Sequence, residues 1–283
     1  MTDEQEWMRV DPDAPAREPV DLRTDRPHSA RMYDCYLGGK TNYPADREAV
    51  GRVLAANPTV IIAARANRAW MNRVVRYLAE HEGVRQFLDI GTGIPTSPNL
   101  HEIVQGVAPE ARVVYADNDP IVLAHAQALL RSTPEGRTAY LDADVRDPRR
   151  ILTAPELLRT LDLDRPVALS MAALLHFVPD DQGAQDIVKT LVDALAPGSF
   201  LVLSHATGDF APEEWARTVE TYRASGTDAQ VRSREEVARF FDGLELLEPG
   251  VVMPHQWRLD VDASPLVLQD AEVSGWVGVA RKP

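Results

Sequence analysis

The chain has 283 residues, 45% of them hydrophobic and 26% charged, a globular composition large enough for one sizeable domain. Its formal net charge of −13 repels phosphate backbones and anionic bilayers, so neither nucleic acid nor membrane is an expected partner, and no apolar run reaches the roughly 20 residues that span a bilayer. The single cysteine, Cys35, excludes an intrachain disulfide and a cysteine-rich metal site; a reducing cytoplasmic setting is expected.

Residues 1–27 combine Asp, Glu, Pro and Arg with few apolar side chains, and are expected to form a disordered lead without the apolar core of a secretory signal. Residues 28–80 hold a Gly38-Gly39 turn and two helical stripes separated by Pro58. Ala45, Ala49, Val50, Val53 and Leu54 share one face, and Trp70, Met71, Val74, Val75 and Leu78 share another. So short a segment buries little alone, so it is expected to cap a larger domain over residues 81–283. Tyr33, Gly38-Gly39 and Asn42 are the part expected nearest a ligand, Tyr33 packing on it with its hydroxyl bonded outward.

From residue 86 the pattern is strand, turn, helix, repeated, with strands expected at 86–90, 112–116, 138–142, 167–171, 199–205, 244–253 and 274–280. Helix starts are expected at Ser97-Pro98, Asp119-Pro120, Asp147-Pro148 and a Ser233/Glu236 capping box. The alternation predicts a doubly wound α/β fold with a mostly parallel sheet. The turn-rich connection from Pro249-Gly250 through Pro265 predicts a terminal hairpin with one antiparallel strand.

Ligands of such sheets bind at the carboxyl ends of the strands, where strand order reverses. The first strand ends in Asp89-Ile90-Gly91-Thr92-Gly93, whose glycines let backbone approach a ligand. Asp117 follows Gly93 by 24 residues, close to the ~20-residue offset of an acid that holds ribose hydroxyls. A nicotinamide dinucleotide is disfavoured: Pro95 and Pro98 remove N–H groups that a pyrophosphate needs at a helix start. Asp144-Val145 at the third strand end supplies an acceptor and an N–H for the edge of adenine. S-adenosylmethionine has ribose and adenine without phosphate, and fits this set.

The strings Asp89 to Gly93, Tyr115-Ala116-Asp117-Asn118-Asp119-Pro120 and Asp142-Ala143-Asp144 resemble successive motifs of class I, Rossmann-like methyltransferases. Ser29 to Asp34, Leu37 to Lys40, Arg65 to Arg68, Phe87 to Thr96 and His176 to Asp180 resemble an actinobacterial family of S-adenosylmethionine-dependent methyltransferases over nearly the whole chain after about residue 25. The resemblance implies that fold and cofactor but no acceptor. The expected cofactor residues are Asp89, Gly91, Thr92, Gly93, Asp117, Asn118, Asp144, Val145 and Met171, with Tyr33 and Arg68 from the cap, Arg68 meeting the cofactor carboxylate.

His176 and His205, at the ends of central strands, are the candidate general bases toward a small-molecule acceptor. The other histidines show no ligand spacing, so no metal is expected. A non-catalytic cofactor-binding regulator and an aminopropyl transferase are the alternatives. The apolar stretch Met171 to Leu175 speaks against the latter, whose polyamines call for acids there.

Overall fold

A computed structural model of the chain describes residues 22–129, 131–258 and 268–283. Most of the expected lead, and the 259–265 part of the expected hairpin connection, lie outside the described residues.

Seven strands make one sheet in the order β3-β2-β1-β4-β5-β7-β6. They are β1 (Gln86–Ile90), β2 (Arg112–Asp117), β3 (Arg137–Asp142), β4 (Ala168–Met171), β5 (Phe200–Ala206), β6 (Glu245–Leu246) and β7 (Gly275–Arg281). The first five are mutually parallel, and β7 runs antiparallel to both β5 and β6. Strand order reverses between β1 and β4, which sets the ligand-binding crevice there.

The sheet is buried on both faces by period-two alternation. Leu88, Ile90, Val114, Leu201 and Leu203 join one apolar layer. Their neighbours Phe87, Val113, Tyr115 and Val202 join the other. Helix α8 (Ala184–Asp193) covers the first face with Ile187, Val188 and Leu191. Two expectations shift in detail. The sixth strand, expected over 244–253, is only two residues long, because the chain turns at Gly250, whose N–H donates to Leu247 O at 2.8 Å, and touches β7 again only at Val252. Helix α4 (Leu100–Val107) begins two residues after Pro98, with Glu102 Oε2 accepting the Asn99 N–H at 2.6 Å.

The segment 28–80 holds three helices: α1 (Ser29–Tyr36), α2 (Pro44–Ala56) and α3 (Val60–Glu80). It splits by function within the fold. The second half of α3 lays Trp70, Val74, Val75 and Leu78 directly on the sheet. Met32 and Tyr36 of α1, Ala49, Val50 and Val53 of α2, and Val60 and Ala64 of α3 instead pack with Trp215 and Tyr222 of α9 (Pro212–Ala224) in a separate cluster. Phe177, after β4, and Ala206, at the end of β5, pack against that cluster.

Candidate cofactor and active site

A cavity of about 350 Å³ lies at the carboxyl ends of the central strands, lined also by Ser29, Ala30 and Arg31 of α1. Asp89, Gly91, Thr92, Gly93, Asp117, Asn118, Asp144, Val145, Tyr33 and Arg68 all line it, so ten of the eleven expected cofactor residues meet in one place. Gly91 and Gly93 sit at φ 72° and 69°, a region that side chains avoid. A Cβ at Gly91 would lie 2.6 Å from Leu174 Cδ1, whereas one at Gly93 would meet nothing within 4 Å. The turn is therefore closed on the Leu174 side and free on the other.

Two buried carboxylates form the floor. Asp117 accepts the Gly93 N–H at 2.8 Å with Oδ2 and the Asp119 N–H at 2.9 Å with Oδ1. Burial nevertheless raises its pKa against those two bonds. Burial also pushes Asp89 up to about 6, with the charge of Arg68 pulling the other way. At the rim, burial would raise Asp144, but the Arg146 N–H at 2.9 Å, the Asn118 amide at 2.9 Å and the Arg146 guanidinium hold it below the usual carboxylate range. Arg68 donates to the carbonyls of Thr96 at 2.5 Å and Pro98 at 2.7 Å, bracing the segment that follows the glycine turn.

Several side chains stand elsewhere than the sequence suggested. Met171 is fully buried in the core layer beneath the sheet, and Ala172, Ala173 and Leu174 line the cavity instead. The Tyr33 hydroxyl turns inward, donating to Ala64 O at 3.0 Å and accepting from Asn67 Nδ2 at 2.9 Å. Gly38, Gly39 and Asn42 do not line the cavity; Asn42 bonds Asp34 and Gly39 O within its own turn. His205 is no open rim base. It is 2% exposed, its Nδ1 bonds Ala206 O at 2.7 Å, and its Nε2 lies 2.6 Å from Arg232 Nη1, so both nitrogens are engaged. Burial, with the neighbouring His176 and Arg232, pushes its pKa well down. His176 lies in the short turn after β4, its ring 4.3 Å from that of Phe177, with Nδ1 buried and unpartnered. Burial and then the Arg232 charge lower it to about 3, so the imidazole is neutral at neutral pH.

Two buried arginines escaped the sequence reading. Arg31 Nε stands 3.2 Å from Asp119 and 3.5 Å from Asp46, tying α1 and α2 to the end of β2, and its Nη2 donates to Arg26 O at 3.0 Å. Arg232 donates to Asp180 Oδ1, Leu175 O and Val178 O as well as facing His205, and so fixes the turn that carries His176 and Phe177. Both act across long sequence separations that no local pattern reports. The loop Gly226-Thr227-Asp228 after α9 also reaches the cavity. Among the described residues no three His, Cys, Asp or Glu side chains gather as a metal site, and no helix is long and apolar enough to cross a membrane.

The model of a family described as S-adenosyl methyltransferase matches residues 15–283. A DUF574 family protein from Streptomyces avermitilis is 52% identical, with a TM-score of 0.89 over 93% of this chain and 100% of that one. A candidate methyltransferase from Thermobifida fusca is 40% identical, with a TM-score of 0.86 over 95% of this chain and 99% of that one. An O-methyltransferase family protein from Burkholderia thailandensis, 13% identical, shares the fold at a TM-score of 0.52 over 92% of this chain and 65% of its own. No curated protein matches the chain. Both of the more similar structures come from actinobacteria, and with the family match spanning almost the whole length, this chain belongs to the S-adenosyl methyltransferase family, as an enzyme of the class I fold that uses S-adenosylmethionine.

Proposed function

We propose that the cavity at the carboxyl ends of β1 to β4 holds S-adenosylmethionine for methyl transfer to a small molecule, and that two carboxylates and one arginine set its orientation. The observation that carries this reading is the floor of the cavity, where buried Asp89 and Asp117 flank a glycine turn. Carboxylates there suit hydroxyl and ammonium groups and oppose phosphates, so the residues present fit a phosphate-free nucleoside with a cationic tail. When bound, the cofactor supplies a methyl group on an already activated cationic sulfur.

Each residue's part follows from its position. Asp117 keeps lone pairs beyond its two backbone bonds, and these accept ribose hydroxyls. Asp144 and the Val145 N–H address the adenine edge, with Asn118 and Arg146 holding the Asp144 carboxylate in place. Asp89 takes the ammonium and Arg68 the carboxylate of the amino-acid end; both line the cavity and interact electrostatically. Helix α1 and the residues just before it close over the site and keep water from it, with Arg31 anchoring the closure at Asp119.

Catalysis then rests on alignment more than on proton transfer. A phenol-like hydroxyl near pKa 10 would yield its proton to an imidazole as weak as His176 only at a cost on the order of 10 kcal/mol. His176 therefore orients, and His205 braces the turn through Arg232. Calorimetry tests the reading: S-adenosylhomocysteine should bind with a 1:1 stoichiometry while NAD does not. Saturable NAD binding with no response to S-adenosylhomocysteine would contradict it.

A further inference from the structure

A second cavity, of about 90 Å³, opens beside the first. Tyr33, Asn67, Ala173 and Phe177 line both, so a group seated in one lies against the wall of the other. Its own walls include Tyr36, Ala63, Trp215, Val219, Tyr222 and Trp276. Among the described residues no Asp, Glu, Lys or Arg lines it, in contrast to the cofactor cavity, whose wall carries Asp89, Asp117, Asp144 and Arg68.

The polar groups of this second wall are mostly satisfied within the protein. The Tyr36 and Tyr222 hydroxyls bond each other at 2.8 Å, the Tyr33 hydroxyl is held by Ala64 and Asn67, and both nitrogens of His205 are engaged. A charged ligand group would be stripped of water there without a counter-ion, a cost of several kcal/mol. Aromatic faces and small side chains instead suit a flat apolar ring. Three wall residues each keep one buried polar atom without a partner: Asn67 Oδ1, His176 Nδ1 and Trp215 Nε1. Such atoms favour a ligand with a neutral hydrogen-bonding group over a pure hydrocarbon. At about 90 Å³ this cavity is smaller than the roughly 150 Å³ that takes up a benzene, so a single ring fills it and its edge reaches the wall shared with the cofactor cavity.

We infer that the methyl acceptor inserts a single uncharged aromatic ring, bearing a neutral hydroxyl or ring nitrogen, into this cavity, and that carboxylate, phosphate or ammonium groups on that ring are excluded. The inference rests on the cofactor reading above, since the two cavities share a wall.

Three probes with the same ring decide it: p-cresol, 4-hydroxybenzoate and tyramine. Each is titrated into the full chain saturated with S-adenosylhomocysteine, with binding followed by saturation-transfer NMR. The expected result is p-cresol binding at least 10-fold tighter than either charged probe. Ala63→Trp and Val219→Trp, at positions that line this cavity and not the cofactor cavity, should each weaken p-cresol at least 10-fold while S-adenosylhomocysteine affinity stays within twofold. Equal or tighter binding of a charged probe would overturn the inference, as would p-cresol affinity unchanged in whichever variant still binds S-adenosylhomocysteine. The two readings fail separately: loss of p-cresol selectivity with intact S-adenosylhomocysteine binding removes the acceptor class alone, whereas no S-adenosylhomocysteine binding by the unmodified chain removes the cofactor reading.

Discussion

Replacing Arg232 by methionine tests how the turn after β4 is held. The guanidinium donates to Leu175 O at 2.9 Å, to Val178 O at 2.9 Å and to Asp180 Oδ1 at 2.6 Å, and faces His205 Nε2 at 2.6 Å. Arg232→Met leaves three buried acceptors, Leu175 O, Val178 O and His205 Nε2, without that donor, each costing about 1–3 kcal/mol. Methionine keeps part of the packing, so the net loss is set at about 3–5 kcal/mol, the range for breaking one side of a buried charged network. For a chain of this size that corresponds to a Tm lower by about 5–8 °C. The partner side of the same pair behaves differently. The Asp180 side chain is 59% exposed, so water replaces much of what Asp180→Asn removes, and the loss should be near 1 kcal/mol. Urea unfolding of both variants, with slopes compared to confirm a common transition, measures the two losses. A cost below about 1 kcal/mol for Arg232→Met, or equal costs for the two, would refute the reasoning.

Three further outcomes follow from the site. Asp117→Ala should weaken S-adenosylhomocysteine roughly 5- to 150-fold, equivalent to about 1–3 kcal/mol, in a calorimetric titration; unchanged affinity would remove the ribose role. Asp89 has a folded-state pKa of about 6 against an ordinary 3.8, so its contribution to stability is full below pH 3.8 and is lost as pH rises through 6. Asp89→Asn should accordingly be the more stable protein at pH 8 in urea melts, with the difference shrinking toward pH 4; an advantage that grows toward low pH would reverse the sign argued here. Residue 23 lines the cofactor cavity, so S-adenosylhomocysteine should slow tryptic cleavage after Arg23. A digestion pattern indifferent to the ligand would detach this segment from the site.

What the sequence made legible was local chemistry. The glycine turn, the acids at the ends of β1, β2 and β3, and the Asp119 cap, whose Oδ1 accepts the Ile121 N–H at 2.9 Å, each depend on residues a few positions apart. What it hid was set by neighbours remote in the chain. Met171 ends a strand whose four residues are all buried, so no alternation marked which side chain faces the core. His205 was placed at an open strand end, yet β7 pairs alongside β5 as far as Ala206 and encloses it. Arg31 and Arg232 find their carboxylates 88 and 52 residues away, beyond any helical or strand period. Helix α1 escaped because its eight residues bury Arg31 and Asp34 along with Met32 and Tyr36, leaving too short an apolar stripe to read.

The most direct test of the account is a crystal structure of the full chain grown with S-adenosylhomocysteine. The account predicts that the ribose hydroxyls lie within hydrogen-bonding distance of Asp117, the adenine edge beside Asp144 and Val145, and the amino-acid end between Asp89 and Arg68. Ligand density bound elsewhere, or oriented with its ribose away from Asp117, would contradict it.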